Sequence, residues 1–208
     1  MLKKLELDPI KQPNPKYIPK PYEKMYYPGQ RVQIDIKFVP AVCIVGDAKA
    51  EGKKFYQYTA IDEYSRFRYL EAFEENSSYS SAVFLDHMLK VFKFKVECVQ
   101  TDNGQEFTKR LGASEKPAPT LFEASLKKRG IEHKLIKPYT PRHNGKVERS
   151  HRKDNEYFYA THTFYSFEDF KKQLAVHSRN YNNFPMRPLN WKAPADYIKA
   201  YLSDGEVF

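Results

Sequence analysis

The sequence predicts an α/β fold in which a five-stranded mixed sheet has helices on both faces. Two observations point to it. Five short segments carry the alternating or β-branched pattern of strands. The first three follow one another with no predicted helix between them, as in an antiparallel meander, whereas helical segments separate the later ones, as in parallel crossovers.

The first strand is expected at residues 31–39, where Val32, Ile34 and Ile36 lie on one face and Asp35 lies on the other, polar face. The remaining strands are expected at residues 55–61, 67–73, 96–101 and 131–136. Helices are expected after Ser77, from about Thr120 to Arg129, from about Asn144, and from about Ser166 to Tyr181.

The chain divides into three predicted parts. Residues 1–28 are rich in proline and predict an extended arm or linker. Residues 29–182 hold all the predicted strands and predict one globular core. Residues 183–208 predict an irregular tail with one last turn near its end, and Trp191, the single tryptophan, is expected to pack within this tail.

Charge and composition narrow the classes of function that fit this chain. The chain of 208 residues carries a net charge of +9, and residues 127–153 contain ten Lys/Arg but only two acids. Such a concentration of positive charge favours nucleic acid as a partner. No apolar run reaches the length of a membrane span. Cys43 and Cys98 lack the spacing of a zinc site, and Cys98 is expected to be a buried apolar residue.

Three carboxylates are candidate metal ligands: Asp35 in mid-strand, Asp102 directly after a strand, and Glu148 in the basic region. Each alone has an ordinary interpretation, namely a solvated residue, a turn, and an ion pair with Arg152. Together they predict a site for divalent cations, because cations offset the repulsion between clustered acids. Two ions sharing one aspartate would suit phosphodiester chemistry.

Other residues around these acids have proposed roles. The candidate phosphate contacts, whose alternative is a solvated charged face, are Lys137, Arg142, His143, Asn144, Lys146, Arg149, Arg152 and Lys153. Asn144 is also a candidate helix cap. Asp62 is a rival metal ligand, but its position between two strands favours a hairpin turn. Glu106 is either a partner of the metal ligands or a solvated residue.

The motifs Gln-Ile-Asp35-Ile, Thr-Asp102-Asn-Gly-Gln-Glu-Phe and Pro-Arg-His-Asn-Gly-Lys-Val-Glu148-Arg resemble those of the integrase catalytic core of bacterial insertion-sequence transposases, which are related to retroviral integrases. The resemblance extends from about residue 27 to residue 200. It implies a ribonuclease-H-like fold, a catalytic triad of Asp35, Asp102 and Glu148, Mg²⁺ or Mn²⁺, and DNA strand transfer on element ends and target DNA.

The chain also departs from that pattern. The 45 residues between Asp102 and Glu148 exceed the family's usual spacing, and the surplus fits an insertion within residues 109–119. Pro188 is followed by Leu189, where the family usually has histidine. The family's N-terminal helix-turn-helix region is expected to be absent from this chain.

The leading hypothesis is a DDE-type transposase or integrase core that works as a homo-oligomer on DNA. The alternatives are a nuclease of the ribonuclease H type and a non-catalytic DNA-binding remnant of a mobile element. The N-terminus lacks an apolar signal core. With the resemblance, this predicts a cytoplasmic, nucleoid-associated protein of bacteria.

Overall fold

The computed structural model describes residues 23–109, 118–136 and 145–203. Its five strands form one mixed sheet in the order β3-β2-β1-β4-β5. The bounds are β1 Val32–Phe38, β2 Tyr56–Asp62, β3 Arg68–Phe73, β4 Cys98–Thr101 and β5 Glu132–Leu135. The first three strands pair antiparallel, while β4 lies parallel to both β1 and β5. The predicted mixed sheet is confirmed.

Helices cover both faces of this sheet, as predicted. Their bounds are α1 Gly46–Ala50, α2 Ser78–Val91, α3 Leu121–Lys128, α4 Gly145–Asp154, α5 Phe167–Asn182 and α6 Pro194–Ser203. The capping residues agree with the sequence: Ser77, Thr120 and Ser166 each accept a backbone hydrogen bond at a helix start. Short 3₁₀ turns occupy Ala41–Cys43 and Arg187–Leu189, and a π-helical turn, Asn155–Tyr159, extends α4.

The two faces of the sheet bury different residues. Under α2 and α3 lies an apolar core that includes Val32, Ile34, Tyr58, Phe84, Val99 and Phe122. The opposite face has a second apolar core beside α5, built around Phe55, Phe158, Phe164 and Phe170. Under α4, the same face is polar, because Gln33, Gln57, Thr59 and Arg68 are all buried there.

The C-terminal part is more ordered than the predicted irregular tail. α6 is ten residues long, and it packs through Tyr197 against Tyr64 in the turn between β2 and β3. Apolar contacts therefore hold this segment on the core, and Leu189 and Ile198 are buried. The prediction that Trp191 packs within the tail is wrong. The backbone reverses there through left-handed Asn190 and Trp191, and the indole is 70 % exposed.

Candidate active site

Asp35 and Asp102 lie level with each other on neighbouring strands. In the parallel pair of β1 and β4, Gln33 is opposite Gln100. Asp35 follows Gln33 by two residues and Asp102 follows Gln100 by two, just beyond the end of β4. The register therefore brings both carboxylates to the same level in the middle of the sheet, where β4 ends.

Helix α4 brings Glu148 to the polar face of the sheet. Successive turns of the helix contact β1 and β2 through Val147, His151 and Asp154, which lie on one side of the helix. The sequence puts Glu148 directly after Val147, and its side chain is exposed. Within the described residues no ion pair joins Glu148 to Arg152, so the structure does not support the ordinary interpretation of Glu148 as a helical ion pair.

Electrostatics links the three acids. Burial raises the pKa of Asp102, the Gly104 N–H lowers it, and the charges of Asp35 and Glu106 raise it again. Partial desolvation raises the pKa of Glu148, and the charge of Asp35 raises it further, against the effects of His151 and Arg152. The charge of Asp35 thus acts on both of the other acids, as expected for carboxylates that lie near one another.

Backbone and histidine contacts orient these carboxylates. Asp102 Oδ1 accepts a hydrogen bond from the Gly104 N–H at 3.0 Å, and Asp35 Oδ1 accepts one from the Ile36 N–H at 3.0 Å. His151 Nδ1 lies 3.4 Å from Asp35 Oδ2, while its Nε2 lies 3.0 Å from the Thr59 hydroxyl. His151 is therefore held between β1 and β2 and faces the central carboxylate.

The chemistry of this donor set suits a hard divalent cation such as Mg²⁺ or Mn²⁺, because all three groups offer carboxylate oxygens. Among residues 23–109, 118–136 and 145–203, however, no three His, Cys, Asp or Glu side chains converge closely enough to hold an ion. The three carboxylates belong to neighbouring elements, but within the described residues they do not form a complete metal-binding site.

The rival ligand Asp62 has a structural role. It is fully buried and accepts hydrogen bonds from the Gly29 N–H and from both the N–H and the hydroxyl of Ser65. The two bonds from Ser65 close the turn between β2 and β3, so the hairpin interpretation is confirmed. The charge of Glu106, four residues after Asp102, is the smallest of the effects that raise the pKa of Asp102.

The predicted phosphate contacts separate into three groups. Lys137, Arg142, His143 and Asn144 lie outside the described residues. Arg149, Arg152 and Lys153 are exposed on α4, and within the described part of the chain no ion pair occupies them. Lys146 is different, because its ammonium is largely buried and lies 3.0 Å from the buried carboxylate of Glu63.

Sequence reasoning missed four polar residues beside the three acids, namely the buried Gln33, Glu63 and Thr59 and the partly buried His151. One signal was available for two of them. Gln33 lies two residues before Asp35, on the same face of its strand, and His151 lies three residues after Glu148 on its helix. Glu63 and Thr59 gave no comparable signal, since their partners are distant in the sequence.

Comparison with known proteins agrees with this architecture. The sequence profile of the integrase core domain family matches residues 26–141, and a second integrase core domain profile matches residues 129–194. The chain belongs to the integrase core domain family.

Two relatives carry related names. An uncharacterized 39.2 kDa protein of insertion element IS476 from Xanthomonas euvesicatoria is 30% identical over 158 residues, which are 76% of this chain and 43% of that protein. A putative integrase, ORF3, of Spiroplasma virus SpV1-C74 is 28% identical over 170 residues, 69% of this chain and 44% of that protein. The chain thus spans less than half the length of either. With the family match, these relatives identify an integrase catalytic core of an insertion element.

Solved structures show the same fold. The bovine immunodeficiency virus (BIV) integrase catalytic core aligns with a TM-score of 0.57 and 19% identity, covering 85% of this chain and 98% of that one. A simian T-cell lymphotropic virus intasome gives a TM-score of 0.60 and 19% identity, covering 83% of this chain and 55% of that one. The HTLV-2 integrase core, solved with magnesium in a trimeric form, gives 0.57 and 16%, covering 82% and 96%. The predicted ribonuclease-H-like fold is confirmed.

No helix within the described residues is both long enough and apolar enough to cross a membrane.

Proposed function

We propose that this chain is a DDE-type catalytic core that cuts the 3′ ends of an insertion element and transfers them to target DNA. Asp35, Asp102 and Glu148 would hold Mg²⁺ or Mn²⁺. The observation that carries this proposal is geometric: the register of β1 and β4 places Asp35 level with Asp102, and α4, which carries Glu148, packs on β1 and β2 and contacts Asp35 through His151. The charge of Asp35 raises the pKa of both other acids.

The chain's own residues would prepare this site. Asp35 and Asp102 accept hydrogen bonds from backbone N–H groups where β1 and β4 lie side by side, and Glu148 lies on a helix whose other side is anchored on the sheet. Divalent cations, when bound, would activate the attacking oxygen and stabilise the leaving oxygen of the phosphodiester. His151 would keep Asp35 oriented from the side opposite Asp102.

The substrate would be held by the exposed cations of α4. Arg149, Arg152 and Lys153 flank Glu148 in the sequence, and no ion pair with a described residue competes for them. Phosphate contacts from such residues position DNA without reading its sequence. Element ends and target DNA are therefore the proposed partners. Because each DNA end needs an active site, the core is expected to act as a homo-oligomer on DNA.

The test of the proposal is nicking and strand transfer with Mn²⁺ or Mg²⁺ on supercoiled plasmid. Asp102→Asn is expected to abolish both reactions, since it removes a charged ligand while keeping the side chain's shape. Asp47→Asn is the matched control, because Asp47 is an exposed carboxylate on α1. An Asp102→Asn variant as active as the wild type would refute the triad. Cleavage confined to RNA–DNA hybrids would favour a ribonuclease instead.

DNA binding gives a second measurement. The slope of log K against log salt is expected to become shallower by about 0.9 for each phosphate that a variant no longer neutralises. Arg149→Glu and Arg152→Glu should each weaken binding and flatten the slope, whereas Lys172→Glu on the exposed side of α5 should not. Equal slopes for all three variants would remove α4 from the proposed DNA surface.

A further inference from the structure

A buried glutamine connects the strand that carries Asp35 to the helix that carries Glu148. The Gln33 side chain is almost fully buried under the start of α4. Its Oε1 accepts hydrogen bonds from the backbone N–H groups of Lys146, at 3.2 Å, and Val147, at 3.1 Å. Gln33 thus caps the first turn of α4 across the interface between sheet and helix.

This cap is unusual in its origin. The first N–H groups of a helix lack intrahelical acceptors, and a side chain immediately before the helix usually satisfies them. Here the acceptor comes from a residue 113 and 114 positions away in the sequence. The same two bonds that satisfy the helix start therefore also fix its position over β1. Gln33 lies two residues before Asp35, and Val147 lies immediately before Glu148.

Glu63 holds the glutamine in this orientation. Gln33 Nε2 donates a hydrogen bond of 2.9 Å to Glu63 Oε1. The amide oxygen therefore faces the two N–H donors of α4, and the amide nitrogen faces a carboxylate. The reverse orientation would leave both ends of the amide without complementary partners. The Lys146 Nζ also donates to Glu63 Oε2, at 3.0 Å, and Arg31 pairs with the same carboxylate.

We propose that Gln33 and Glu63 are positioning residues that set the Glu148 helix against the Asp35 strand. The proposal rests on the proposed function, because Glu148 and Asp35 matter together only in that chemistry. Neither Gln33 nor Glu63 is among the three proposed ligands, so they act through the position of α4. An error of about 1 Å in the placement of a catalytic group costs about a hundredfold in rate.

The first experiment needs no activity. In the free protein, Gln33→Met removes the acceptor at similar volume, and exchange of the Lys146 and Val147 amides should accelerate about tenfold, as loss of an ordinary cap implies. Gln57→Met is the matched control. Gln57 is equally buried on the same face of the sheet but contacts Asp154 at the other end of α4. Unchanged exchange in Gln33→Met would overturn the cap.

Residual dipolar couplings of the α4 amides, measured on the same samples, report the tilt of the helix against β1. The proposal expects the couplings of the first turn to change in Gln33→Met and to stay as in the wild type in Gln57→Met. Wild-type couplings in Gln33→Met would overturn the positioning role even if the amides exchange faster.

The last experiment exchanges the two side chains. Gln33→Glu alone would put two carboxylates in contact, and Glu63→Gln alone would remove the anion that orients the amide. The double variant Gln33→Glu, Glu63→Gln restores one donor and one acceptor at unchanged net charge. It also keeps an acceptor at the helix start, where negative charge is favourable.

Each single variant should lower the strand-transfer rate at saturating DNA by about tenfold or more with little change in KM, and the double variant should recover most of the rate. Single variants with wild-type rates would overturn the proposal. A wild-type protein without metal-dependent transfer would instead refute the proposed function, and the exchange and coupling measurements would still decide whether Gln33 positions α4.

Discussion

The two faces of the central sheet are built from the same strands but stabilised in different ways. The face under α2 and α3 is apolar, and residues such as Ile34, Phe84 and Val99 are fully buried there. The face under α4 is polar, and the buried polar side chains described on it are hydrogen-bonded, apart from two nitrogens of Arg68. Apolar packing is non-directional, whereas hydrogen bonds are directional and can hold side chains in one orientation.

The polar face differs most from the apolar face at the C-terminal end of α4. Asp154 is buried and accepts hydrogen bonds from Arg68, at 2.7 Å, and from Gln57, at 2.8 Å, while the His177 ring lies 2.7 Å away. The Arg68 guanidinium also donates to Ser150 and stacks 3.9 Å from the centre of the Tyr181 ring. Within the described residues, Nε and one terminal nitrogen of Arg68 have no hydrogen-bond partner. A buried charge pair thus anchors the helix at the end opposite Gln33.

The largest effect on stability is expected from Arg68→Ala. It would leave the Asp154 carboxylate buried without its cation, and such a loss costs about 3–5 kcal/mol. Urea unfolding followed by circular dichroism measures the change. As a control, Arg68→Met with Asp154→Leu removes both charges and should recover part of the loss. If Arg68→Ala unfolds at the same urea concentration as the wild type, the pair does not anchor α4.

The second prediction concerns acid, and it separates the anchor from the active site. Burial alone would raise the pKa of Asp154, but the charge of Arg68 and the hydrogen bonds from His177, Gln57 and Arg68 bring it well below the ordinary value. A lowered folded-state pKa stabilises the fold above the unfolded pKa of about 3.9, and this stability is lost as pH falls further. Unfolding free energy should therefore decline below about pH 4.

Asp102 and Glu148 should have the opposite effect on the unfolding free energy as pH falls. Their raised pKa values mean that the folded state binds their protons more readily, so acidification through those pKa values stabilises the fold. Asp154→Asn should therefore flatten the acid decline in unfolding free energy, and Asp102→Asn should not. Denaturant titrations between about pH 3 and pH 6 compare the two variants. Identical acid profiles for Asp154→Asn and the wild type would contradict the prediction.

The smallest effects on stability come from two adjacent residues that point to opposite faces. Ile34→Val removes one methylene from the apolar core and should cost about 0.5–1.5 kcal/mol while leaving nicking activity unchanged. Asp35→Asn should change stability by only about 0.5 kcal/mol or less, because it removes a charge that repels Asp102 and Glu148, yet it should abolish nicking. Thermal unfolding and plasmid nicking, both measured on Ile34→Val and on Asp35→Asn, test these two expectations. Loss of activity in Ile34→Val would show that the two faces are not separable.

Much of the fold follows from local patterns. The alternation in β1 and the caps at Ser77, Thr120 and Ser166 are encoded within a few residues, and the structure has these elements where the sequence indicates them. The ordered helix α6 and the exposed Trp191 were not predicted correctly. Their positions depend on how the C-terminal segment docks on the turn between β2 and β3, through contacts such as Tyr197 with Tyr64.

The sequence by itself determined the family, the sheet and the three carboxylates proposed as ligands, because each depends on residue type and short spacing. Only the tertiary structure showed that Lys146 is paired with Glu63 and that Gln33 caps α4 from another element. Sequence pattern shows which residues are polar but not which distant partner each will find. Partner choice is set when strand and helix are brought together, because buried polar groups must then be satisfied by whatever lies opposite them.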